Sequence, residues 1–146
     1  MLTQFQMKYC IPAPTPMDSH VQLVKNRSSK LHPSIPYRSL FGQLLYIAYT
    51  ARPGIAAAVG VLCRFSNVPC NEHLTAAKRV LRYLKGTAEL KLKLQPNSHG
   101  YADANWGTDI DSRKSTTGYL FKLGNALISW NTKLQPTVAL SSCEAE

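Results

Sequence analysis

Apolar residues recur at helical spacing through the middle of the chain. The spacing predicts one helix over residues 37–48 and a second that opens after Arg52, with Pro53 at the tolerated first helical position. The apolar positions that define these helices are Leu40, Leu44 and Ile47 in the first, and Ile55, Val59, Leu62 and Phe65 in the second. The short joints between the helices predict a small helical unit.

A third helix is predicted to follow, with Asn71 as its N-cap, Glu72 in its first turn and Gly86 as the C′ residue that ends it. Its apolar stripe consists of Leu74, Ala77, Leu81 and Leu84. The basic residues of the same segment fall mainly on the other side of the helix, and they are Lys78, Arg79, Arg82 and Lys85. We therefore expect a helix with one buried face and one basic, solvated face.

After Gly86 the hydrophobic period changes from helical to two. Residues 90–94 alternate between Leu and Lys, which predicts a strand. Further strands are predicted at residues 101–105, 119–123 and 127–130, with a hairpin turn at residues 124–126 and a short extra strand at residues 138–140. Helices followed by strands indicate an α+β fold, in which a small helical unit precedes a mostly antiparallel sheet.

The two ends of the chain carry different signals. Five prolines within residues 1–36 predict an extended arm or linker that is poorly packed. At the other end, Ser141 followed three residues later by Glu144 is a helix-start signature. Since the sequence stops at Glu146, we expect the chain to be cut from a longer protein.

The net charge of +9 is distributed unevenly along the 146 residues. Residues 1–99 hold 13 Lys and Arg against three acids, which gives +10, whereas residues 100–146 hold four against five, which gives −1. A basic surface attracts nucleic acid or anionic membrane, although a solvated basic face without a partner explains the charge equally well.

Several classes of protein are disfavoured by composition. No stretch approaches the ~20 apolar residues that span a bilayer, and the N-terminus lacks the pattern of a signal peptide. Four widely separated cysteines without a CxxC pair, together with isolated histidines, argue against a zinc site and a disulfide framework.

Asp103 is the best candidate for chemistry, because a carboxylate inside a strand usually has a partner or a metal. Glu144 and Glu146 lie roughly 200° apart on a helix, so only one of them can face the sheet. That residue and Asp103 could share a divalent metal, but two carboxylates are too few for two-metal phosphoryl chemistry. In the alternative interpretation Glu144 is a capping residue and Glu146 a frayed end. Asp109 and Asp111 are expected in a solvated turn, since their spacing lacks the rest of a calcium loop.

Other polar groups suggest contacts to nucleic acid. Arg113 and Lys114 could contact phosphates, or they could belong to an ordinary hairpin loop. Trp106 and Trp130 could stack on bases or fill a core. Residues 79–82 (Arg79, Val80, Leu81 and Arg82) match R-x-L-R, the host-entry pattern of secreted effectors from plant pathogens. Helical geometry also explains this match, because it places the two arginines three residues apart on one face.

Taken together, six stretches of the chain resemble the copia-type retrotransposon polyprotein in order and spacing. They are residues 37–46 (YRSLFGQLLY), 51–55 (ARPGI), 76–87 (AAKRVLRYLKGT), 101–106 (YADANW), 111–119 (DSRKSTTGY) and 141–146 (SSCEAE). The resemblance implies that residues 37–86 are the helical end of a reverse transcriptase and that residues 90–146 open an RNase H domain, which is incomplete here. In the intact family that domain cleaves the RNA of an RNA–DNA hybrid with two magnesium ions.

Carried over by position, Asp103 resembles the first catalytic aspartate, and Glu146 resembles the catalytic glutamate of the first helix. The sequence departs from the family's usual pattern at Gly54, Asn105 and Cys143. By the same resemblance, the remaining catalytic aspartates of both activities would lie outside this chain. We therefore expect no cofactor of its own and no enzymatic activity, with Asp103 and Glu146 as remnants of a catalytic metal site.

The hypothesis from the sequence is an intracellular, retroelement-derived fragment that binds nucleic acid weakly through residues 64–93, which include Arg79, Arg82 and Lys85. Arg113 and Lys114 are further candidate contacts. RNA–DNA hybrid is the partner that the resemblance implies. The alternative is a secreted R-x-L-R effector that enters host cells, binds host proteins, and modulates defence or suppresses cell death. A third interpretation is a pseudogene product without a selected function.

Overall fold

A computed structural model describes residues 1–18, 20–25, 31–32, 34–91 and 98–146. They form two compact units, Met1–Leu90 (unit 1) and Lys91–Glu146 (unit 2). Unit 1 contains α1 (Tyr37–Thr50), a 3₁₀ turn (Pro53–Ile55), α2 (Ala56–Cys63) and α3 (Asn71–Gly86), and unit 2 contains β1 (Ser98–Asn105), β2 (Thr116–Leu123), β3 (Ala126–Leu134) and α4 (Ser142–Ala145). The predicted α+β class is confirmed. Within the described ranges, no helix combines the length and the apolar character that crossing a membrane requires.

The three helices of unit 1 surround one apolar core. The side chains that are completely removed from solvent include Leu44, Ile55, Val59, Leu62, Val80 and Leu81. Burying one such side chain contributes about 1.5–3 kcal/mol relative to leaving it exposed. The predicted helices of this region and the apolar positions that define α2 are therefore confirmed.

The N-terminal arm packs against this core, so the expectation of poor packing is wrong. Met7 and Leu23 belong to the buried cluster, and Leu2 and Phe5 pack against it. Proline removes backbone donors and fixes φ, but it does not prevent the apolar residues between prolines from being buried. The helices leave apolar surface uncovered, and the arm covers part of it.

The start of α3 differs from the prediction by one residue. Asn71 is the first helical residue, and Cys70 occupies the N-cap position. The Cys70 backbone N–H donates to Nδ1 of His73 at 3.0 Å, and the Cys70 Sγ lies 3.2 Å from the same nitrogen. His73 is fully buried and stacks on Phe65 with ring centroids 4.0 Å apart. A Cys-x-x-His pair thus performs the reciprocal capping that Ser-x-x-Glu usually provides.

The end of α3 also corrects the prediction. Gly86 is the last helical residue rather than a C′ residue in the left-handed conformation, and Thr87 is the C-cap. A Cβ added to Gly86 would lie 2.9 Å from the Cβ of Pro12, closer than real contacts allow. Glycine is therefore required at this position by the close approach of the arm.

Unit 2 is a three-stranded antiparallel sheet in the order β1-β2-β3. Leu123 pairs with Ala126, which leaves a two-residue hairpin loop in which Gly124 has φ of +63°. A positive φ at the first loop position is the requirement of a type II′ turn, so the predicted turn is confirmed. Gly100 pairs with Phe121, whose ring covers the space that a side chain at Gly100 would occupy.

Two predicted strands need separate comment. Of the alternating residues 90–94, those at 92–94 lie outside the described residues. Residues 138–140 are not a strand, because side chains satisfy their backbone groups instead. The carbonyl of Ala139 accepts from Nε1 of Trp106 at 2.9 Å, and the N–H of Leu140 donates to the carboxylate of Glu144 at 2.7 Å.

The Cys70–His73 cap generates a prediction about stability. His73→Leu fills the buried site with an apolar side chain but removes the acceptor of the Cys70 N–H. We therefore expect the free energy of unfolding to fall by about 1–3 kcal/mol. His73→Gln restores an acceptor of the capping-box type and is expected to lose less. Urea unfolding followed by circular dichroism measures both values. Equal losses for the two variants would show that the stacked ring, rather than the cap, stabilises this site.

Tyr37 generates a prediction about alkaline pH. Burial, reinforced by Cys70 and Cys63, raises the pKa of Tyr37 from 10.0 to about 12. Since the unfolded chain loses this proton first, the stability of the fold is unaffected by Tyr37 ionisation below pH 10, and up to about 2–3 kcal/mol of it is lost as pH rises toward 12. We expect Tyr37→Phe to lack this decline, and to be no less stable at pH 7 because the buried hydroxyl has no hydrogen-bond partner among the described residues.

Urea unfolding of the wild type and Tyr37→Phe at pH 9 and pH 11.5 measures the difference. Tyr46→Phe is the control, because Tyr46 is exposed and should keep the wild-type pH dependence. An identical alkaline decline in all three proteins would contradict the assignment to Tyr37.

Candidate functional site

One stripe of basic side chains on α3 holds the N-terminal arm. Arg79, Arg82 and Lys85 form this basic stripe, and each bonds to an oxygen of the arm. Lys85 Nζ donates to the carbonyl of Cys10 at 2.8 Å, and Arg82 Nε donates to the carbonyl of Ile11 at 2.6 Å. Arg79 Nη2 donates to Oγ1 of Thr15 at 2.9 Å. The face that was expected to be solvated is therefore partly covered by the chain itself.

The sequence spacing explains this geometry. Residues 79, 82 and 85 are three apart and lie along one side of a helix. Their partners follow in the opposite order, so residues 10–18, the arm segment, run antiparallel to α3. Pro12 lies against Gly86 at the same end as Lys85, which sets how closely the two backbones approach.

Arg79 is the least well satisfied member of the stripe. Its Nη1 lies 3.7 Å from the carboxylate of Asp18, and both side chains are partly exposed. Its Nε is buried and has no hydrogen-bond partner among the described residues. An exposed ion pair of this length contributes about 0–1 kcal/mol, so Asp18 holds Arg79 only weakly.

The R-x-L-R match lies wholly within α3. Arg79 and Arg82 are the arm-binding residues, while Val80 and Leu81 are completely buried in the core of unit 1. All four residues therefore have structural roles in the folded unit. Their contacts do not test the effector interpretation, but they place the motif inside a helix rather than in an extended, accessible segment.

The candidate carboxylates lie in unit 2. Asp103 is an exposed residue of β1 and pairs with Gly118 of β2, so no side chain stands opposite it. Within the described part of the chain its carboxylate makes no hydrogen bond or ion pair. Because Asp103 is exposed, packing against neighbouring side chains does not hold its carboxylate in one orientation.

The helix α4 packs against β1 and carries the other two carboxylates. Ser141 Oγ accepts from the N–H of Glu144 at 3.1 Å, while the Glu144 carboxylate accepts from Leu140. Glu144 is therefore the capping residue of the alternative interpretation. Glu146 is exposed and follows the last helical residue, Ala145.

A magnesium site at Asp103 and Glu146 stays a prediction of the family resemblance. Among the residues that the structure describes, no three His, Cys, Asp or Glu side chains come together in a way that could hold a metal. Glu144 takes part in the cap of α4. Asp103 and Glu146 therefore remain as the two carboxylates that the family resemblance assigns to the catalytic site. We derive no catalytic step through a metal from this arrangement.

The loop between β1 and β2 is organised by a residue whose role the sequence did not reveal. Asp109 was expected in a solvated turn but is buried, and its carboxylate accepts from the N–H and the hydroxyl of Ser112. Asp111 is exposed, as expected. The Asp-x-x-Ser spacing of residues 109–112 is the signal that would have indicated this side-chain-stabilised turn.

The same loop presents the second pair of basic candidates. Arg113 is exposed and adopts φ of +59°, and its N–H donates to the carbonyl of Asp109 at 2.7 Å. Lys114 is half-buried, and its carbonyl accepts from the N–H of Asp109 at 3.2 Å. Trp106 is half-exposed with its indole N–H bound to Ala139, and Trp130 is half-buried. Arg113 and Trp106 are therefore the groups of this region that a ligand can reach.

The structure places the basic candidates in two different units. Arg79, Arg82 and Lys85 form one stripe in unit 1, whereas Arg113 and Lys114 belong to a loop of unit 2. The arm contacts were missed because they join residues 64 to 75 positions apart, a separation at which no local pattern is visible.

Comparisons with known proteins give relatives of two kinds. Over 117 residues the chain is 48% identical to "Secreted RxLR effector protein 161" of Plasmopara viticola, covering 77% of this chain and 82% of that protein. It is 43% identical to the retrovirus-related Pol polyprotein from transposon TNT 1-94 of Nicotiana tabacum, and 39% identical to that from transposon RE2 of Arabidopsis thaliana. Both matches cover the full chain, which spans only 12% and 10% of the two polyproteins.

No protein-family profile matches the chain. No solved structure matches it either. The relatives establish its descent without assigning a role to any residue. The similarity of the whole chain to retrotransposon Pol polyproteins confirms the resemblance that its motifs indicated.

Proposed function

We propose that this chain is a retroelement-derived polyprotein fragment that binds nucleic acid electrostatically through unit 1 and has no RNase H turnover. The observation that carries the proposal is the concentration of positive charge on α3. Lys78, Arg79, Arg82 and Lys85 lie within eight consecutive residues, and the only acid of the helix is Glu72 in its first turn. Such a surface binds phosphates by releasing their counterions, without reading base sequence.

The structural context of α3 supports this proposal. Lys78 is exposed, and it makes no hydrogen bond or ion pair within the described residues. It lies next to the basic stripe, which extends the positive surface along the helix. Three acids, Asp18, Glu72 and Glu89, are the whole negative charge of unit 1, so little of its field is cancelled locally.

We propose that unit 2 corresponds to the opening of an RNase H fold. The support is the order of its elements, since an antiparallel β1-β2-β3 meander leads into α4 with Asp103 within β1 and Glu146 after α4. The proposed inactivity is supported by the local roles of carboxylates in this unit. Asp109 and Glu144 are used by a turn and a helix cap, and the remaining acids do not form a metal-binding group within the described residues.

The proposal predicts salt-dependent binding that Lys78 strengthens. In fluorescence anisotropy with a labelled RNA–DNA hybrid, we expect the logarithm of the affinity to fall linearly with the logarithm of salt concentration. Lys78→Gln should make that slope shallower by up to about 0.9 if Lys78 neutralises one phosphate. Lys133→Gln is the matched control, because Lys133 is exposed in unit 2 and its loss should leave the slope unchanged. The same hybrid should remain uncleaved with magnesium, and turnover abolished by Asp103→Asn would contradict inactivity.

A second candidate function is favoured by one comparison. The relative from Plasmopara viticola is named a secreted R-x-L-R effector, and this chain matches 82% of its length. On this alternative the chain is secreted, enters host cells and alters host defence or cell death through host proteins. Residues 79–82 would then act as the entry motif. In the folded unit, Arg79 and Arg82 bind the arm, and the two residues between them are buried in the core.

Uptake of the purified protein by host cells separates the two functions. If the motif acts in entry, replacing Arg79 and Arg82 with Lys should abolish uptake of the added protein, because the pattern requires arginine at both positions. A folding role predicts normal uptake, since lysine keeps the charge and can still donate to the arm. Uptake measured by a fluorescent tag, with thermal melting as the folding control, decides between these outcomes. No uptake of the wild type would remove the effector alternative.

A further inference from the structure

We propose that the arm segment, residues 10–18, is an intramolecular competitor of nucleic acid for the basic stripe Arg79, Arg82 and Lys85. The inference rests on the proposed function, which it deepens by naming a regulatory element. In the closed state the arm's oxygens occupy the donors of the stripe. Nucleic acid binds after the segment lifts and the donors turn to phosphates.

The hydrogen bonds of the closed state can be replaced by stronger ones to phosphate. The arm offers two backbone carbonyls and one hydroxyl to three cations, and its only carboxylate, Asp18, lies 3.7 Å from Arg79. Hydrogen bonds between a cation and an anionic oxygen are roughly twice as strong as neutral ones, and guanidinium matches phosphate with two parallel bonds. A phosphate backbone is therefore a better partner for these side chains than the arm.

Arg79 shows this incomplete match directly. Its Nε is buried without a hydrogen-bond partner among the described residues, while its Nη2 donates to Thr15 of the arm. A buried donor without an acceptor destabilises the closed state. Lifting the arm segment would give this nitrogen access to water or to a phosphate oxygen.

The flanks of the arm segment are buried in the core. The segment itself is held by its hydrogen bonds to the basic stripe and by the packing of its own apolar residues, Cys10, Ala13 and Met17. Met7 precedes it and Leu23 follows it, and both are buried in the core of unit 1. Pro12, Pro14 and Pro16 restrict the backbone of the segment, so closing it costs less conformational entropy. These features describe a strap that can lift from α3 while its two ends stay in place.

Competition has a quantitative consequence. The apparent dissociation constant equals the intrinsic constant divided by the fraction of molecules in which the arm segment is open. If roughly a tenth of molecules are open, full opening lowers the apparent constant about tenfold. By linkage, nucleic acid must promote arm release by the same factor that release promotes binding.

Gly86→Ala is the sharpest test of this competition. The added Cβ would meet Pro12 Cβ at 2.9 Å and push the segment away, while alanine favours the helical conformation of α3. Gly42→Ala is the matched control, since Gly42 lies in α1 and its added Cβ would meet nothing within 4 Å. We expect Gly86→Ala to lower the dissociation constant for a labelled oligonucleotide roughly three- to tenfold, with an unchanged salt slope and no effect of Gly42→Ala.

Thiol alkylation, resolved by mass spectrometry of the peptides, reports the position of the arm independently of binding. Cys10 lies at the start of the segment and is partly buried, whereas Cys70 is buried and reports global unfolding. We expect Cys10 to react faster in Gly86→Ala, and in the wild type when oligonucleotide is added, while Cys70 stays protected.

Thr15→Val provides a second variant of unchanged charge. It removes the hydroxyl that accepts from Arg79 and should shift both measurements in the same direction as Gly86→Ala, by a smaller factor. If Gly86→Ala exposes Cys70 and is therefore unfolded, Thr15→Val decides the question.

Faster Cys10 alkylation with a wild-type dissociation constant would overturn the competition and leave the proposed binding intact. Unchanged Cys10 alkylation in a folded Gly86→Ala protein, or no response of Cys10 to oligonucleotide, would also overturn it. Absence of salt-dependent binding in the wild type and both variants would instead refute the proposed function.

Discussion

The close approach of the arm to α3 is the constraint on which unit 1 depends. Lys85, Arg82 and Arg79 donate to successive parts of the arm, and Gly86 leaves the space that Pro12 occupies. The arm's apolar residues then complete a core that three short helices leave partly uncovered. The same basic side chains thus serve the fold and form the positive surface, so stability and ligand access cannot be changed independently at these positions.

The sequence predicted most local features of the fold and not the long-range contacts of unit 1. The difference is the separation along the chain of the residues that interact. The three helices and the hairpin turn at Gly124 were predicted because periodicity and turn chemistry are local. The roles of Cys70 and His73 were missed because this pair imitates a capping box with unusual residues. The arm contacts could not have been predicted, since nothing in a local pattern indicates that Arg82 bonds to the carbonyl of Ile11.

The candidate chemistry divides in the same way. The resemblance selected Asp103 and Glu146 by position, and the structure places Asp103 in β1, which packs against α4. It also shows that Asp109 and Glu144 are used in local structure, which no count of acidic residues could reveal. Relatives with polyprotein names and one with an effector name are similar to this chain, so similarity alone does not decide its role.

The sheet of unit 2 has a consequence for the behaviour of the protein at high concentration. Among the described residues β1 and β3 have a strand neighbour on one side only, and Phe121, Leu123 and Ile128 are each about half exposed. Unpaired backbone groups beside exposed apolar side chains favour pairing with another chain. Because such pairing joins two molecules, its rate rises with the square of the protein concentration. The concentration of the protein, and not only the stability of unit 2, therefore sets how much of it stays unassociated.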